Sequence, residues 1–250
     1  EISTDTDYSS QIDPLPAPQP WDRTRWESVV CDLPAEIPMV AVSFDHFSER
    51  VSFQKQVASA RRGFRKCPSH LGAFLIKPEK RSQNTVESAL KVAAANAGEL
   101  ASFDIVGVTE KELGASILER MVQIATLRRA MDAAGVSAQI HIFGALDPIC
   151  VCLYYLSGAE LFDGLTWLRY AYKDGCCVYI HNFGIMEFGL HCTSDSVQHL
   201  TLSKNLYYLA SLRRKMQEFE ATKDFAKLAP HATLFKDACD SLWTRLKRKS

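Results

Sequence analysis

Short apolar runs alternate with longer amphipathic stretches along the chain. The short runs are rich in β-branched residues, and the longer stretches place apolar residues at helical spacing. Patterns of these two kinds are typical of buried strands and of helices packed on one face. The runs predict strands at 37–45, 71–77, 103–108, 139–143 and 160–162. The stretches between them predict helices at 48–66, 82–96, 116–134 and 149–157.

The spacing of the predicted strands indicates repeated βα units. The strands begin about 20 to 35 residues apart, which is the length of one such unit. Repeated units form either a doubly wound sheet or a (β/α)₈ barrel. The first predicted strand is not followed by G-x-G-x-x-G, and the sequence contains no P-loop, so a nucleotide-binding sheet lacks its main support. We therefore predict an α/β protein with a (β/α)₈ TIM barrel at 37–220, preceded by a polar, proline-rich loop and lead-in at 1–36 and followed by a helical, basic tail at 221–250.

The ends of the predicted strands carry the candidate chemistry. Active sites of (β/α)₈ barrels lie at the carboxyl ends of the strands. Asp163 follows the last predicted strand within the sequence ELFDG and is the candidate catalytic residue. The alternative is that Asp163 and Gly164 form an ordinary turn or helix cap. The residues that the barrel would bring to this mouth are Asp45, Lys77, Gly107, Gly144 and Asp163.

Composition and charge limit the classes of function. The chain has 250 residues, with 29 basic and 29 acidic side chains, so one domain without a global electrostatic footprint is expected. Nucleic-acid binding would need a local patch. Basic clusters on predicted helices are candidates for phosphate contacts, although such clusters can also be solvated helix faces. They occupy 61–66, 128–129, 213–215 and 245–249.

The eight cysteines show no regular disulfide framework, which predicts reduced, intracellular thiols. No apolar run approaches the roughly 20 residues that span a bilayer, and the polar N-terminus is not a signal peptide. These features predict a cytoplasmic protein without membrane contact.

Several segments resemble the tRNA-guanine transglycosylase superfamily. GALDP followed by LYYLSGAELFDGLTWLR is similar to its G-x-G-x-P turn, helix and D-x-F-D-C-V-x-P-T-R segment. SFD at Asp45, AFLIK and VGV around Gly107 resemble three earlier strands, and the LSKNL segment from Leu202 resembles a late helix that begins H-N-L. The resemblance covers about 37–220 in the family's order.

The resemblance implies a site and a reaction. Asp163 would be the nucleophile that attacks C1′ of a nucleotide, expels guanine and forms a glycosyl-aspartate, which a second base then attacks with retention of configuration. Asp45 would bind the Watson–Crick edge of the base, and the nucleotide would be flipped or unpaired. The implied substrate-binding residues are Asp45, Lys77, Gly107, Val108, Gly144 and Arg169.

The departures from the family pattern affect the expected cofactor and substrate. Lys77 replaces a base-reading glutamine, and the family's C-x-C-x-x-C zinc site is absent, with Lys204 at the position of its histidine. Zinc and other cofactors are therefore not expected; a zinc site would have to use Cys176 or Cys177, His191 and Cys192. Without the zinc-bearing insertion, exchange of guanine for a 7-deazaguanine in DNA is favoured over tRNA, with partner proteins that open the duplex.

The family's general-base aspartate lies ahead of the region that this chain matches. By this resemblance the first barrel strands would be missing, so the chain would be trimmed at its start or completed by a partner. Asp5 and Asp7 are candidates for the base, or are loop residues. Two further interpretations stay open: a non-catalytic transglycosylase-like subunit that binds nucleic acid or a partner, and an unrelated barrel enzyme such as a glycosidase or an aldolase.

Overall fold

A parallel sheet forms the centre of the protein. The computed structural model describes residues 21–45, 51–79 and 89–248. Asp5, Asp7 and the first parts of the helices predicted at 48–66 and 82–96 lie outside these ranges. The strands pair in parallel in the order in which they occur along the chain. They are β1 Val40–Val42, β2 Leu71–Leu75, β3 Ile105–Thr109, β4 Gln139–Phe143 and β5 Leu161–Phe162.

The sequential strand order gives the sheet a barrel-like curvature. A doubly wound sheet reverses its strand order at a switch point, whereas here each new strand is added to the same edge. The sheet curls into a half-barrel in which helices alternate with strands. The α/β class and the βα repeat are therefore confirmed. The described residues supply five strands of the eight that the predicted barrel requires.

Helices pack on the outer face of this half-barrel. The sequence places them where the pattern predicts, with each strand followed by a helix before the next strand begins. Asp147 begins the last of them by accepting hydrogen bonds from the backbone N–H groups of Ile149 and Cys150. They are α2 Phe53–Lys66, α3 Ala89–Ala95, α4 Ile117–Ala133 and α5 Pro148–Leu156, with α1 Arg23–Cys31 ahead of β1.

Alternation along the strands separates a buried face from an inner face. In β4, Ile140 and Ile142 are fully buried against the helices, whereas His141 and Phe143 point to the inner, concave face. Parallel pairing aligns neighbouring strands residue by residue, so Gly107 of β3 lies beside His141. The inner face therefore carries the side chains that lead to the carboxyl edge of the sheet.

The C-terminal part adds a hairpin and four α-helices within the described residues. Strands β6 Tyr170–Lys173 and β7 Cys176–Tyr179 pair in antiparallel fashion. The long helix α8 supplies Asn205, whose side chain is fully buried. Its Oδ1 accepts from the N–H of Tyr172, and its Nδ2 donates to the carbonyls of Trp167 and Tyr170. The helices of this part are α6 Thr166–Arg169, α7 Ile180–Phe188, α8 Ser194–Thr222 and α9 Ala232–Lys247.

The segment predicted as a basic tail contains a core helix. Phe235, Leu242 and Leu246 of α9 are buried in the same apolar cluster as the helices of the half-barrel. The hydrophobic core therefore extends from the sheet through α4 and α5 to α9.

Helix α1 lies within the predicted lead-in and corrects one expectation about the cysteines. Its Trp26 packs edge-on against Phe64 of α2. This packing brings the last residue of α1, Cys31, beside Cys67, and the two form a disulfide. The expectation that all eight cysteines are reduced thiols is therefore wrong for this pair; the other six are free.

Among the helices in the described ranges, none is long and apolar enough to cross a bilayer.

Candidate active site at the carboxyl edge of the sheet

Asp163 lies directly after β5, at the carboxyl edge of the sheet. Its Oδ1 accepts a 2.7 Å hydrogen bond from the backbone N–H of Gly144, the residue that follows β4. Gly144 turns the chain there with φ of +82°, a conformation that favours glycine. The Asp163 side chain is 53% exposed. The carboxylate is therefore oriented by the neighbouring strand end and accessible to a ligand.

His141 lies beside this carboxylate on the inner face. Its Nε2 is 3.8 Å from Oδ1 of Asp163, and the side chain is 16% exposed. The imidazole stacks against the Phe143 ring, with centroids 3.8 Å apart. Burial lowers the pKa of His141 below its usual value, although the Asp163 carboxylate opposes this shift. The ring is therefore predominantly neutral at neutral pH.

A second charged cluster lies at the ends of the first three strands. Lys77 Nζ is 3.2 Å from Oδ2 of Asp45 and 3.6 Å from Oε1 of Glu112. Thr109 Oγ1 donates to Oε2 of Glu112 over 2.6 Å. The backbone of Lys77 is held by the Gln56 side chain, which binds both its N–H and its carbonyl. This arrangement fixes a donor, Lys77, beside an acceptor, Asp45.

Asp45 and Asp163 lie at opposite ends of the curled sheet, whereas Lys77 and Glu112 follow β2 and β3 between them. Four strand steps separate β1 from β5. A ligand that contacts both Asp45 and Asp163 must therefore reach across the intervening strands.

The remaining residues expected to bind substrate, Gly107, Val108 and Arg169, have different surroundings. The Phe143 ring covers Gly107 so closely that a Cβ there would be 2.3 Å from Cε2 of the ring. The Val108 side chain is 1% exposed and packs among the helices, on the face of β3 opposite to Gly107. Its parity along β3 is the cause, because adjacent residues of a strand face opposite sides. Arg169 is exposed at the end of α6.

The predicted basic clusters lie on helices and many of their members are engaged. Arg61 pairs with Glu99 at 2.9 Å, and Arg128 pairs with Asp132 at 2.6 Å. The Arg129 guanidinium lies 4.9 Å from the centre of the Trp243 ring. Pairs of this kind are typical of solvated helix faces, and any phosphate contact would compete with them.

The late cysteines do not converge on one point. Cys176 Sγ is 3.4 Å from Nε2 of His231, a residue of the segment before α9. Cys177 faces Asp147 instead; burial, with a smaller effect of Asp147, raises the pKa of its thiol. His191 and Cys192 follow α7. In the part of the chain that the structure describes, no group of three or more His, Cys, Asp or Glu residues could hold a metal ion.

Sequence reasoning missed four residues of this edge. Phe143 and His141 could have been found from the alternation in QIHIF, because the parity that buries Ile140 and Ile142 directs them inward. Thr109 ends β3 and Glu112 follows it, at the same edge as Lys77, but the contacts that join these residues depend on side-chain placement.

Comparison with models of protein families and with curated proteins gives no match for this chain. Functional inference therefore depends on the geometry of this edge together with the sequence resemblance.

Proposed function

We propose that the protein is a base-exchange transglycosylase that replaces guanine in a nucleic acid with a 7-deazaguanine, with Asp163 as its nucleophile. The observation that carries the proposal is the Asp163 carboxylate, which is exposed yet oriented at the carboxyl end of β5 by the Gly144 N–H. A carboxylate in this position can reach the anomeric carbon of a sugar bound at the mouth of a curled parallel sheet.

The reaction is a double displacement at C1′. One oxygen of Asp163 forms a bond to C1′ as the bond from C1′ to N9 of guanine breaks, and the bonding electrons leave with the base. Guanine then takes up a proton from water. The incoming base loses its proton to water, attacks C1′ from the vacated side and breaks the ester, so that Asp163 is regenerated as a carboxylate. The described residues that act here are Asp163 and its partner Gly144.

The Asp45–Lys77 pair supports recognition of the base edge. Guanine presents the O6 acceptor beside the N1–H and N2–H donors. Lys77 Nζ is a donor for O6, and the Asp45 carboxylate is an acceptor for the two N–H groups; the two side chains lie 3.2 Å apart. Asp45 follows β1 and Asp163 follows β5 at the same edge of the sheet, so a nucleoside bound across that edge would have its base at Asp45 and its sugar at Asp163.

We expect Asp45→Asn and Lys77→Met each to weaken binding of free 7-cyano-7-deazaguanine by about 10-fold to 100-fold, since a hydrogen bond to a charged group contributes about 1.5–3 kcal/mol. Lys77→Gln should retain more affinity than Lys77→Met, because an amide still donates to O6. Titration calorimetry measures these affinities. Lys111→Met is the matched control, since Lys111 is exposed in the turn after β3. Unchanged affinity in both Asp45→Asn and Lys77→Met would remove the pair from base recognition.

DNA is the proposed polynucleotide. The described residues present basic groups on helix surfaces that are compatible with a DNA backbone, provided that phosphate contacts replace their present ion pairs. The test is incorporation of labelled 7-cyano-7-deazaguanine into DNA and into bulk tRNA side by side, with strand-opening partner proteins supplied. Label in DNA supports the proposal. Label in tRNA alone rejects DNA while retaining the reaction.

A non-catalytic, transglycosylase-like subunit is the second candidate. It is favoured by the open sheet, because within the described residues β1 and β5 each have a single strand neighbour. A barrel needs closure to bring its strand ends fully together. Label in neither polymer, combined with retained nucleic-acid binding, would favour this function over exchange.

A further inference from the structure

The inner face of β4 carries an imidazole that the proposed reaction has not yet used. Ile142 of β4 is paired with Phe162 of β5, so these two side chains point to the same face of the sheet. Side chains alternate along a strand, so His141 and Asp163, which precede Ile142 and follow Phe162, both point to the opposite face. Its ring is fixed by the Phe143 stack, and the Phe143 ring is itself seated against Gly107. The chain of contacts thus runs from β3 through β4 to the carboxylate.

Both polar contacts that the described residues make with the Asp163 carboxylate involve the same oxygen. Gly144 donates its N–H to Oδ1, and His141 Nε2 is 3.8 Å from that atom. This separation is longer than a hydrogen bond, but such contacts often tighten when a substrate binds. A carboxylate anchored through Oδ1 presents Oδ2 as the attacking atom.

We infer that His141 is a positioning residue for Asp163: its neutral imidazole donates from Nε2 to Oδ1 and directs Oδ2 at the sugar. This inference rests on the proposed function, since it assigns a role in the same reaction. A neutral donor orients the carboxylate without cancelling its charge. An imidazolium would pair with the carboxylate as an ion and lower its nucleophilicity.

The surroundings of His141 make its pKa sensitive to the charge of Asp163. The His141 ring contacts Phe143 on its own strand, and its neighbours in the sheet register are Gly107 of β3 and Leu161 of β5, none of which titrates. Asp163 is the charged group that faces it within the described residues, and its carboxylate raises the pKa of His141 against the effect of burial. When Asp163 becomes an ester, this opposing charge disappears and the pKa of His141 falls.

The first experiment measures this coupling without any exchange activity. The His141 Cε1–H resonance is titrated by NMR in the wild type and in Asp163→Asn, with the signal assigned by its absence in His141→Gln. Assignment is required because the chain has seven histidines. The amide of Asp163→Asn mimics the uncharged ester, so the pKa of His141 should fall in that variant. An identical pKa in both proteins would overturn the inference.

The second experiment separates positioning from packing. His141→Phe retains an aromatic ring for the Phe143 stack but lacks a donor, whereas His141→Gln retains a donor. Exchange by His141→Phe should lose about 100-fold in kcat with little change in KM for the base, because a misdirected nucleophile costs about that much. His141→Gln should retain more activity than His141→Phe. In the wild type, protonation of His141 should lower kcat at acid pH, and this decrease should be absent from His141→Gln. Equal activity of His141→Phe and the wild type would overturn the inference.

The two experiments distinguish failure of the inference from failure of the proposed function. If the wild type exchanges bases but the pKa of His141 is the same in Asp163→Asn, the positioning role of His141 is rejected and the proposed function is retained. If the pKa of His141 changes in Asp163→Asn but the wild type exchanges no base, His141 is coupled to Asp163. The exchange reaction is then rejected, and the positioning role in that reaction is rejected with it.

Discussion

Asp163→Asn is expected to abolish base exchange while leaving the fold intact. The amide oxygen can still accept from the Gly144 N–H over the 2.7 Å contact, so the strand end keeps its geometry. An amide cannot form the glycosyl ester, and loss of a covalent nucleophile costs several orders of magnitude in rate. Denatured wild-type protein trapped during exchange should carry a covalent nucleotide that mass spectrometry locates at Asp163.

Asp240→Asn is the matched control for this prediction. Asp240 is an exposed aspartate of α9, 67% accessible and paired with Lys236 on the helix surface. Its amide should leave the exchange rate unchanged, because exposed ion pairs contribute little. Retention of more than about a hundredth of the wild-type rate by Asp163→Asn would remove Asp163 from the nucleophilic role.

Asn205→Ala is expected to reduce the free energy of unfolding by about 3–5 kcal/mol, which is a large part of the stability of a domain. The Asn205 side chain is fully buried and makes three hydrogen bonds of 2.7–2.8 Å to backbone groups of Trp167, Tyr170 and Tyr172. Substitution of Asn205 by alanine removes all three hydrogen bonds at once. The buried N–H of Tyr172 and the part-buried carbonyls of Trp167 and Tyr170 would then lose this partner unless water enters.

Chemical denaturation monitored by circular dichroism measures this loss. Asn182→Ala serves as the comparison, since Asn182 is exposed on α7 and alanine favours a helix there. That variant should unfold within about 0.5 kcal/mol of the wild type. A loss below about 1 kcal/mol in Asn205→Ala would mean that the backbone groups around α6 and β6 find other partners.

The sequence predicts the βα repeat well because its signals are local. Strand β4 begins and ends at the residues expected from its apolar run, and α5 begins where Asp147 and Pro148 provide a cap and a first-turn proline. The β6–β7 hairpin was missed, although its Asp174-Gly175 turn carries a known hairpin signal. Helix α1 was missed because the prolines before it suggested a loop.

The candidate site was predictable only in outline. Positions such as Asp45, Lys77 and Asp163 follow from where strands end. The contacts among them depend on side chains that are distant in sequence, such as the seating of Phe143 on Gly107 or the pairing of Lys77 with Glu112. The Cys31–Cys67 bond likewise depends on the packing of α1 against α2, which no local pattern encodes.

The sequential order of the strands has a consequence for how the chain acquires its structure. Each strand of the half-barrel pairs with the strand before it in the chain, so every step closes a loop of one βα unit only. Sheets of this kind have low contact order for a parallel architecture, and they can grow unit by unit as the polypeptide leaves the ribosome. Strand β3, at the centre of the sheet and two strands from either edge, would then become the slowest region to exchange its amide hydrogens, while β1 and β5 remain the edges at which growth or opening occurs.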